Sequence, residues 1–526
     1  MRDRVLIADK LAPEGIAHLE PHVEVVFDPS ISAETLTAAI PGFDGLIVRS
    51  RTRVSSEVIQ AGGRLQVIGR AGVGVDNIDV AAATQAGVTV VNAPTGNAVA
   101  AAEHAVTVLL ALARNVPQAD QSVRSGQWQR TRFMGVEVHD KRLGLLGLGR
   151  IASLVATRAQ AFGMEVVAFD PYVGEEYAAR LGVELLPFEE LVASADFISI
   201  HIPLTEQTKN LLGATEFGRC KPTVRIVNCA RGGIVDEAAL LEALDADRVA
   251  GAALDVFSME PPVDNPLLDH AKVVLTPHIA GSTHEAQQQV AVDVADQVLA
   301  VLQGKPAMHA INMPIIPPKD LEILIPFVDL VERMGHLLTQ FEPGVLGSME
   351  LTVHGPIANF DSSYLQAAAL KGLLDNVVTE RINLVNARHI ARQRGLILSE
   401  RRQRHHEERY ENMLTLAVTN GDRSSMVRGS VLQGVPHIVA IDDLWVDFEA
   451  RGHFLLTWHY DRPGIIGRIG TILGENDINI AFMHVGRRSP RGEAIMVLGL
   501  DDPIPEALFP QILAMPHNYW VKALEL

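Results

Sequence analysis

Three polar residues, each placed just past an apolar run, have the right types to share one reaction. Arg231 follows Val224-Arg-Ile-Val-Asn-Cys-Ala230. Glu260 comes shortly after Ala250-Gly-Ala-Ala-Leu-Asp-Val256 and before Pro261-Pro262. His278 follows Val273-Val-Leu-Thr-Pro277 and precedes Gly281-Ser282. Histidine is the natural general acid–base near neutral pH. A carboxylate beside an imidazole stabilises its protonated form, so a proton stays available when an oxo acid is reduced. An arginine fork clamps a substrate carboxylate and polarises a carbonyl. The set therefore suits hydride transfer between a hydroxy acid and its oxo acid, which moves a proton as well as a hydride. Taken singly, each residue has a plainer reading: a turn histidine, a surface arginine, a glutamate that ends an element.

A dinucleotide fingerprint lies upstream. Residues 143–152 read Leu-Gly-Leu-Leu-Gly-Leu-Gly-Arg-Ile-Ala, giving Gly147-x-Gly149-x-x-Ala152 between a strand and a helix. The first glycine permits a tight turn, and the second lets backbone approach a pyrophosphate at the helix N-terminus. A second strand ends at Phe169-Asp170. A carboxylate there accepts the ribose hydroxyls and repels a 2′-phosphate, which favours NAD over NADP.

These residues need a scaffold that brings strand ends together. Up to about Ala93, short apolar runs alternate with helix-like stretches, the pattern of a parallel α/β layer. The runs are Val5–Ala8, Val23–Phe27, Gly45–Val48, Val67–Gly69 and Thr89–Val91. An alanine-rich helix near 97–114 is expected to cross to a second α/β unit. That unit has six expected strands, from Arg142–Leu146 to Val273–Leu275, in a doubly wound sheet. A ligand crevice outside the carboxyl ends of such strands lets Arg231, Glu260 and His278 converge. Glu285–Leu302 reads as one helix that returns to the first unit. The proline-rich Met313–Lys319 marks a boundary. Beyond it, 318 to about 450 mixes helices (Pro326–Gln340, Ser363–Leu374, Arg381–Arg394) with strands (Gly347–His354, Met413–Thr419, Ser425–Leu432). The segment 453–526 reads as βαββαβ, a ferredoxin-like sandwich. The expected units are 1–96 with 288–312, 97–287, 318–450 and 453–526.

The segments Asn228–Asp236, Asp255–Pro262 and Pro277–Ser282 resemble the signature of the D-isomer-specific 2-hydroxyacid dehydrogenases, over about residues 1–312. The resemblance implies a Rossmann-type nucleotide domain inserted in a smaller flavodoxin-like substrate domain. It implies Arg231 as substrate-binding, His278 as acid–base and Glu260 as its partner. It also implies an NAD site at Val73, Gly147, Gly149, Arg150, Ile151, Asp170, Ile202, Cys229, Ala230, Arg231, Asp255, His278 and Gly281. Asp255 and the Cys229–Arg231 backbone would face the nicotinamide.

The arginines in Val48-Arg-Ser-Arg-Thr-Arg53 and at Arg70 end apolar strands and offer an anion pocket opposite Arg231. Residues matching Arg49 and Arg70 bind substrate in the phosphoglycerate-oxidising branch of this family. Arg51 and Arg53 are open between phosphate recognition and solvation. The basic run Trp128–Gly135 is a further candidate, reaching a phosphate from a partner subunit. His459-Tyr-Asp461-Arg-Pro-Gly464 with Asp477-Ile-Asn479 resembles an ACT domain, which binds small amino acids. That resemblance implies an effector pocket at His459, Asp461 and Asn479, with L-serine as effector. Gly421, Asp422 and Ser424–Gly434 loosely match the α+β regulatory domain of the long-form branch. The activity implied is NAD-dependent oxidation of 3-phospho-D-glycerate to 3-phosphohydroxypyruvate. The rivals are a hydroxypyruvate, glyoxylate or 2-oxoglutarate reductase, and a non-catalytic NAD-sensing scaffold.

Composition sets the outer limits. The 526 residues carry a net charge of −18, which argues against broad nucleic-acid binding. The 48% hydrophobic content excludes a disordered chain. With two cysteines, Cys220 and Cys229, no disulfide framework is expected, and a reducing, cytoplasmic setting fits. Neither a signal-peptide core nor a membrane span is expected. Residues 388–409 hold seven arginines and three glutamates, with His389, His405 and His406. They read as a solvated helix face laced with Arg–Glu pairs. No metal site is expected, and a homo-oligomer, dimer or tetramer, is.

Overall fold

The computed structural model describes residues 2–341, 346–404, 409–421 and 423–526. His405, His406 and Asp422 lie outside the described residues. The chain opens with five strands: β1 (Arg4–Ile7), β2 (Glu24–Phe27), β3 (Gly45–Val48), β4 (Val67–Arg70) and β5 (Thr89–Asn92). They pair in parallel in the order β2-β1-β3-β4-β5, the flavodoxin arrangement. Every residue of β3 and β5 is buried, as in strands covered on both faces. Part of that cover is the helix His284–Leu302, which arrives from far along the chain and packs on the helix Pro13–Leu19 and on β3, β4 and β5.

The second sheet has strands β6 (Arg142–Leu146), β7 (Glu165–Phe169), β8 (Glu184–Leu185), β9 (Phe197–Ile200), β10 (Arg225–Asn228), β11 (Gly251–Leu254) and β12 (Val273–Leu275). Their order is β12-β11-β10-β9-β6-β7-β8, all parallel, so the winding reverses between β6 and β9. Seven strands stand where six were expected. The addition, β8, is a two-residue edge strand, too short to leave an apolar run. The helix Ala98–Arg114 links the two sheets and packs on the helix Arg150–Ala161 and on β10, β11 and β12. Among the described residues, no single helix is long and apolar enough to cross a membrane.

The third sheet comprises β13 (Ser348–His354), β14 (Ile397–Gln403), β15 (Met413–Asn420), β16 (Arg423–Leu432), β17 (Val435–Ile441) and β18 (Leu444–Glu449), in the order β14-β13-β15-β16-β17-β18. The arginine-rich segment is corrected here. Its helix covers only Ala387–Gln393 and ends at Gly395, whose φ is +75°. Ile397–Gln403 then runs as an edge strand parallel to β13. The Arg–Glu pairs do form, as Arg402–Glu400 and Arg401–Glu350, but on a strand. The helix expected from Pro326 begins at Leu321 and carries the proline inside it, because its apolar face (Leu324, Phe327, Leu330, Val331) runs through that position.

The last sheet, β19 (His453–Tyr460), β20 (Ile480–Arg487), β21 (Glu493–Leu500) and β22 (Asn518–Glu525), is antiparallel in the order β20-β21-β19-β22. The helices Ile465–Glu475 and Phe509–Leu513 complete the βαββαβ order. Phe454, Leu456, Ile495 and Val497 bury themselves in one core with the helix Leu321–Phe341 and β18. The rings of Phe448 and Phe454 lie 5.0 Å apart across that junction.

Candidate active site

The side chains proposed for the reaction lie at or beyond the carboxyl ends of parallel strands. Residues 229–231 follow β10, Asp255 follows β11, and Thr276–His278 follow β12. Arg49 follows β3, and Arg70 ends β4. The two sheets therefore present their carboxyl edges to one cleft. A cavity of about 650 Å³ lies there, lined by Arg49, Arg51, Arg70, Asn97, Glu260, His278 and Gly281 among others.

His278 Nδ1 lies 2.7 Å from Glu260 Oε2. Glu260 Oε1 accepts from the Phe257 backbone N–H at 3.1 Å, which fixes the carboxylate. The other ring nitrogen of His278, Nε2, is left for a ligand. Its φ of +53° is a left-handed conformation, uncommon for a non-glycine residue.

Three arginines crowd this cleft. Burial, then the neighbouring Arg231 and Arg49 charges, push the Arg70 guanidinium down to about 10. Arg70 Nε is buried without a partner, a donor position that an anion would satisfy. Arg49 is lowered by burial, against the pull of Asp9. Gly72 makes room for Arg70: a Cβ there would fall on its guanidinium, and its φ of +148° suits glycine. Arg231 Nη1 donates to the Ala230 carbonyl at 2.7 Å, and Nε lies 3.4 Å from Asp76 Oδ2.

Arg51 and Arg53 part company with this group. Arg51 Nε is bound to Asp9 Oδ1 at 2.8 Å and its Nη2 to the Ala8 carbonyl at 2.7 Å. It borders the cavity with its charge already met by a buried carboxylate. Arg53 is exposed and does not line the cavity. Trp128–Gly135 is also absent from the lining, and Trp128 and Met134 are exposed.

The nucleotide fingerprint has the expected shape. Gly147 has a φ of +90°, and a Cβ there would strike the His201 carbonyl and the Ile202 side chain. Gly149 caps the helix Arg150–Ala161 with open space around it, and no side chain caps that helix. Its first N–H groups are thus free for a pyrophosphate. Asp170 accepts from Leu148 N at 2.8 Å and Tyr172 N at 2.9 Å, which sets the carboxylate at the mouth of the turn. These residues fit NAD.

The Asp255 carboxylate is turned into the loop that carries His278. It is 0% exposed and accepts from Thr276 Oγ1 (2.6 Å), Ile279 N (2.9 Å) and Ala280 N (2.9 Å). Burial opposes its charge, but these bonds and His104 hold it below the usual carboxylate range. The Cys229 thiol is pushed up by burial and by Asp255, so it is inert packing. Ala230 N binds Asn228 Oδ1 at 3.0 Å, and the Val73 carbonyl accepts from Asn92 Nδ2 at 2.5 Å.

The effector residues do not share one place. The register sets Ile480 opposite Leu500 and His453, but Arg487 opposite Ala494 and His459. Asn479 and Asp461 therefore lie at opposite ends of the sheet, and one chain does not join them in one pocket. Asn479 Nδ2 binds Asp501 at 2.6 Å, while Asp461 pairs with Arg487 at 2.5 Å. His459 is 2% exposed. Sequence reasoning missed Asp9, Asp76, Asn97, His104 and His201. Their signal was present only in part, since Asp76 closes the same glycine-rich run that carries Arg70.

Comparison with known proteins gives a consistent family. Residues 106–280 match the D-isomer specific 2-hydroxyacid dehydrogenase NAD binding domain. Residues 323–442 match the D-3-phosphoglycerate dehydrogenase intervening domain, and 453–517 the ACT domain. The chain is 44% identical to the D-3-phosphoglycerate dehydrogenase of Archaeoglobus fulgidus, over 96% of this chain and 97% of that one. It is 43% identical to that of Bacillus subtilis, over 99% of each. The structure of the TT0316 protein from Thermus thermophilus superposes with a TM-score of 0.54 at 34% identity, covering 59% of this chain and 99% of that one.

Proposed function

The chain belongs to the D-3-phosphoglycerate dehydrogenase family of D-isomer-specific 2-hydroxyacid dehydrogenases, and we propose that it oxidises 3-phospho-D-glycerate to 3-phosphohydroxypyruvate with NAD⁺ in this cleft. The observation that carries the reading is the convergence of Arg49 and Arg70 on the cavity that holds the His278–Glu260 pair, with the Arg231 charge close enough to act on Arg70. A substrate with both a carboxylate and a phosphate matches that charge. An unphosphorylated 2-oxo acid would leave part of it unmet. The acid–base pair argues against a scaffold without catalysis.

Arg231 is the fork for the substrate carboxylate, displacing the weak contact to Asp76. Arg70, with its unpartnered Nε, and Arg49 hold the phosphate end. This fixes C2 and its hydroxyl near His278. Nε2 of His278 takes the hydroxyl proton, and Glu260 stabilises the imidazolium that results. Bound NAD⁺ supplies the hydride acceptor. The balance is one hydroxy acid and NAD⁺ giving one oxo acid, NADH and a proton. In the reverse direction His278 returns the proton to the carbonyl oxygen.

The ACT module is the expected seat of small-molecule control, with L-serine as its effector. Since Asp461 and Asn479 lie at opposite ends of the sheet, a pocket using both would need two copies of the module side by side, in a dimer or tetramer. The test of the reaction is product identity. Incubation with 3-phospho-D-glycerate and NAD⁺, with hydrazone trapping and mass analysis, should yield 3-phosphohydroxypyruvate. Turnover of glyoxylate or hydroxypyruvate with NADH, and none of 3-phospho-D-glycerate, would move the assignment to a reductase.

A further inference from the structure

We propose that His104 and Thr276, acting through the buried carboxylate of Asp255, are positioning residues for His278. The inference rests on His278 as the acid–base of the reaction above and adds the parts that hold it in place.

The loop 276–280 has little regular structure, yet His278 must keep a left-handed φ of +53° with its ring toward Glu260. Asp255 supplies the restraint twice. Its backbone carbonyl accepts from His278 N at 2.8 Å. Its side chain accepts from Thr276, Ile279 and Ala280, two residues before His278 and the two after it. The Thr276 hydroxyl has one proton, and the 2.6 Å contact to Asp255 Oδ1 takes it. The 3.1 Å contact between Thr276 Oγ1 and His104 Nε2 is then a bond in which His104 donates. His104 Nε2 is also 3.4 Å from Asp255 Oδ1. With the carboxylate 0% and His104 16% exposed, water does not readily replace these donors.

His104 also ties this loop to the rest of the molecule. It belongs to the helix Ala98–Arg114, which joins the two α/β units. Asn97, at the start of that helix and seven residues earlier, lies against Gly281 on the same face. The helix thus touches both ends of the loop that carries His278. None of the three residues needs to meet substrate to matter, because an error of about 1 Å in the acid–base costs up to about 100-fold in rate.

The experiment is steady-state kinetics on the full chain for His104→Ala, His104→Gln, Thr276→Val and His278→Ala, with KM, kcat and the pH profile of kcat. Asp255 is left alone because its loss would strand the buried donors it satisfies and destabilise the fold. The expected result is a fall in kcat of roughly 10- to 100-fold for His104→Ala and Thr276→Val, with KM for 3-phospho-D-glycerate within about twofold. His104→Gln, which keeps a donor, should recover most of the rate. The double variant His104→Ala/Thr276→Val should cost less than the product of the singles, since both act on one carboxylate. Wild-type kcat in His104→Ala and Thr276→Val, beside an inactive His278→Ala, would overturn the positioning role and leave the site reading intact. Full activity in His278→Ala would instead overturn the site reading. A loss in KM alone, or His104→Gln no better than His104→Ala, also contradicts the proposal.

Discussion

His278 has one ring nitrogen engaged by Glu260 at 2.7 Å and one free to meet a hydroxyl, so the carboxylate holds the ring that takes the proton. Glu260→Gln keeps an acceptor there but loses the charge-assisted contact, and kcat should fall by roughly 10- to 100-fold. A wild-type kcat in Glu260→Gln would mean that Glu260 does not support His278. At the nucleotide turn, Asp170 is the residue proposed to meet the ribose. Asp170→Ala should erode the preference for NAD⁺ over NADP⁺, measured as the ratio of the two kcat/KM values. Equal use of both by the wild type would remove Asp170 from that role. These residues are legible because each combines a side-chain type with a strand end: Arg231, His278 and Asp170 lie where an apolar run stops, and Glu260 follows one within a few residues. His104 was not legible, because a histidine amid alanines in a long helix looks like packing until the facing loop is known. Asp255 was placed in the site, but its orientation depends on hydrogen bonds that spacing does not contain.

At the scale of elements, the strand ends that build the site also hold a half-buried base. His201 follows β9, and its Nε2 lies 2.9 Å from Ser199 Oγ. Burial lowers it from 6.5 to about 4. Below pH 6.5 the unfolded chain therefore takes up a proton that the folded chain refuses, and stability falls until about pH 4. Each pH unit in that window costs at most about 1.4 kcal/mol from this group. His201→Gln should flatten the decline, seen as a smaller difference in urea midpoint between neutral and mildly acidic buffer. An unchanged difference would show that His201 is not the group responsible. The parallel sheets were readable almost strand by strand, since four-residue buried runs such as Gly45-Leu-Ile-Val48 have few other uses. The α+β unit was less so. Val435–Ile441 and Leu444–Glu449 give a weaker signal, because the tight turn between them shows in the positive φ of Asp442 and not in a glycine. Ile397–Gln403 is hidden because Glu400, Arg401 and Arg402 give this edge strand the composition of a polar helix face.

At the scale of the whole molecule, the dehydrogenase units and the third and fourth units are joined in one chain. Asn383 Nδ2 donates to the Gly87 carbonyl at 2.6 Å, tying the third unit to the substrate-binding sheet. The third and fourth units share a core. If L-serine binds between two ACT modules, Asp461→Ala and Asn479→Ala should each weaken serine inhibition while basal turnover stays near that of the wild type. Calorimetry on the intact protein that detects no serine binding would leave the module to assembly alone. The central claim, that three arginines select a phosphorylated hydroxy acid for oxidation at His278, is tested most directly by the kcat/KM for NADH formation from 3-phospho-D-glycerate against D-glycerate, in wild type and Arg70→Ala. The expected result is a strong preference for the phosphorylated acid that Arg70→Ala reduces by roughly 10- to 100-fold, as loss of a charge-assisted contact of about 1.5–3 kcal/mol implies. Equal rates on the two acids in the wild type, or an equal loss on both in Arg70→Ala, would contradict it.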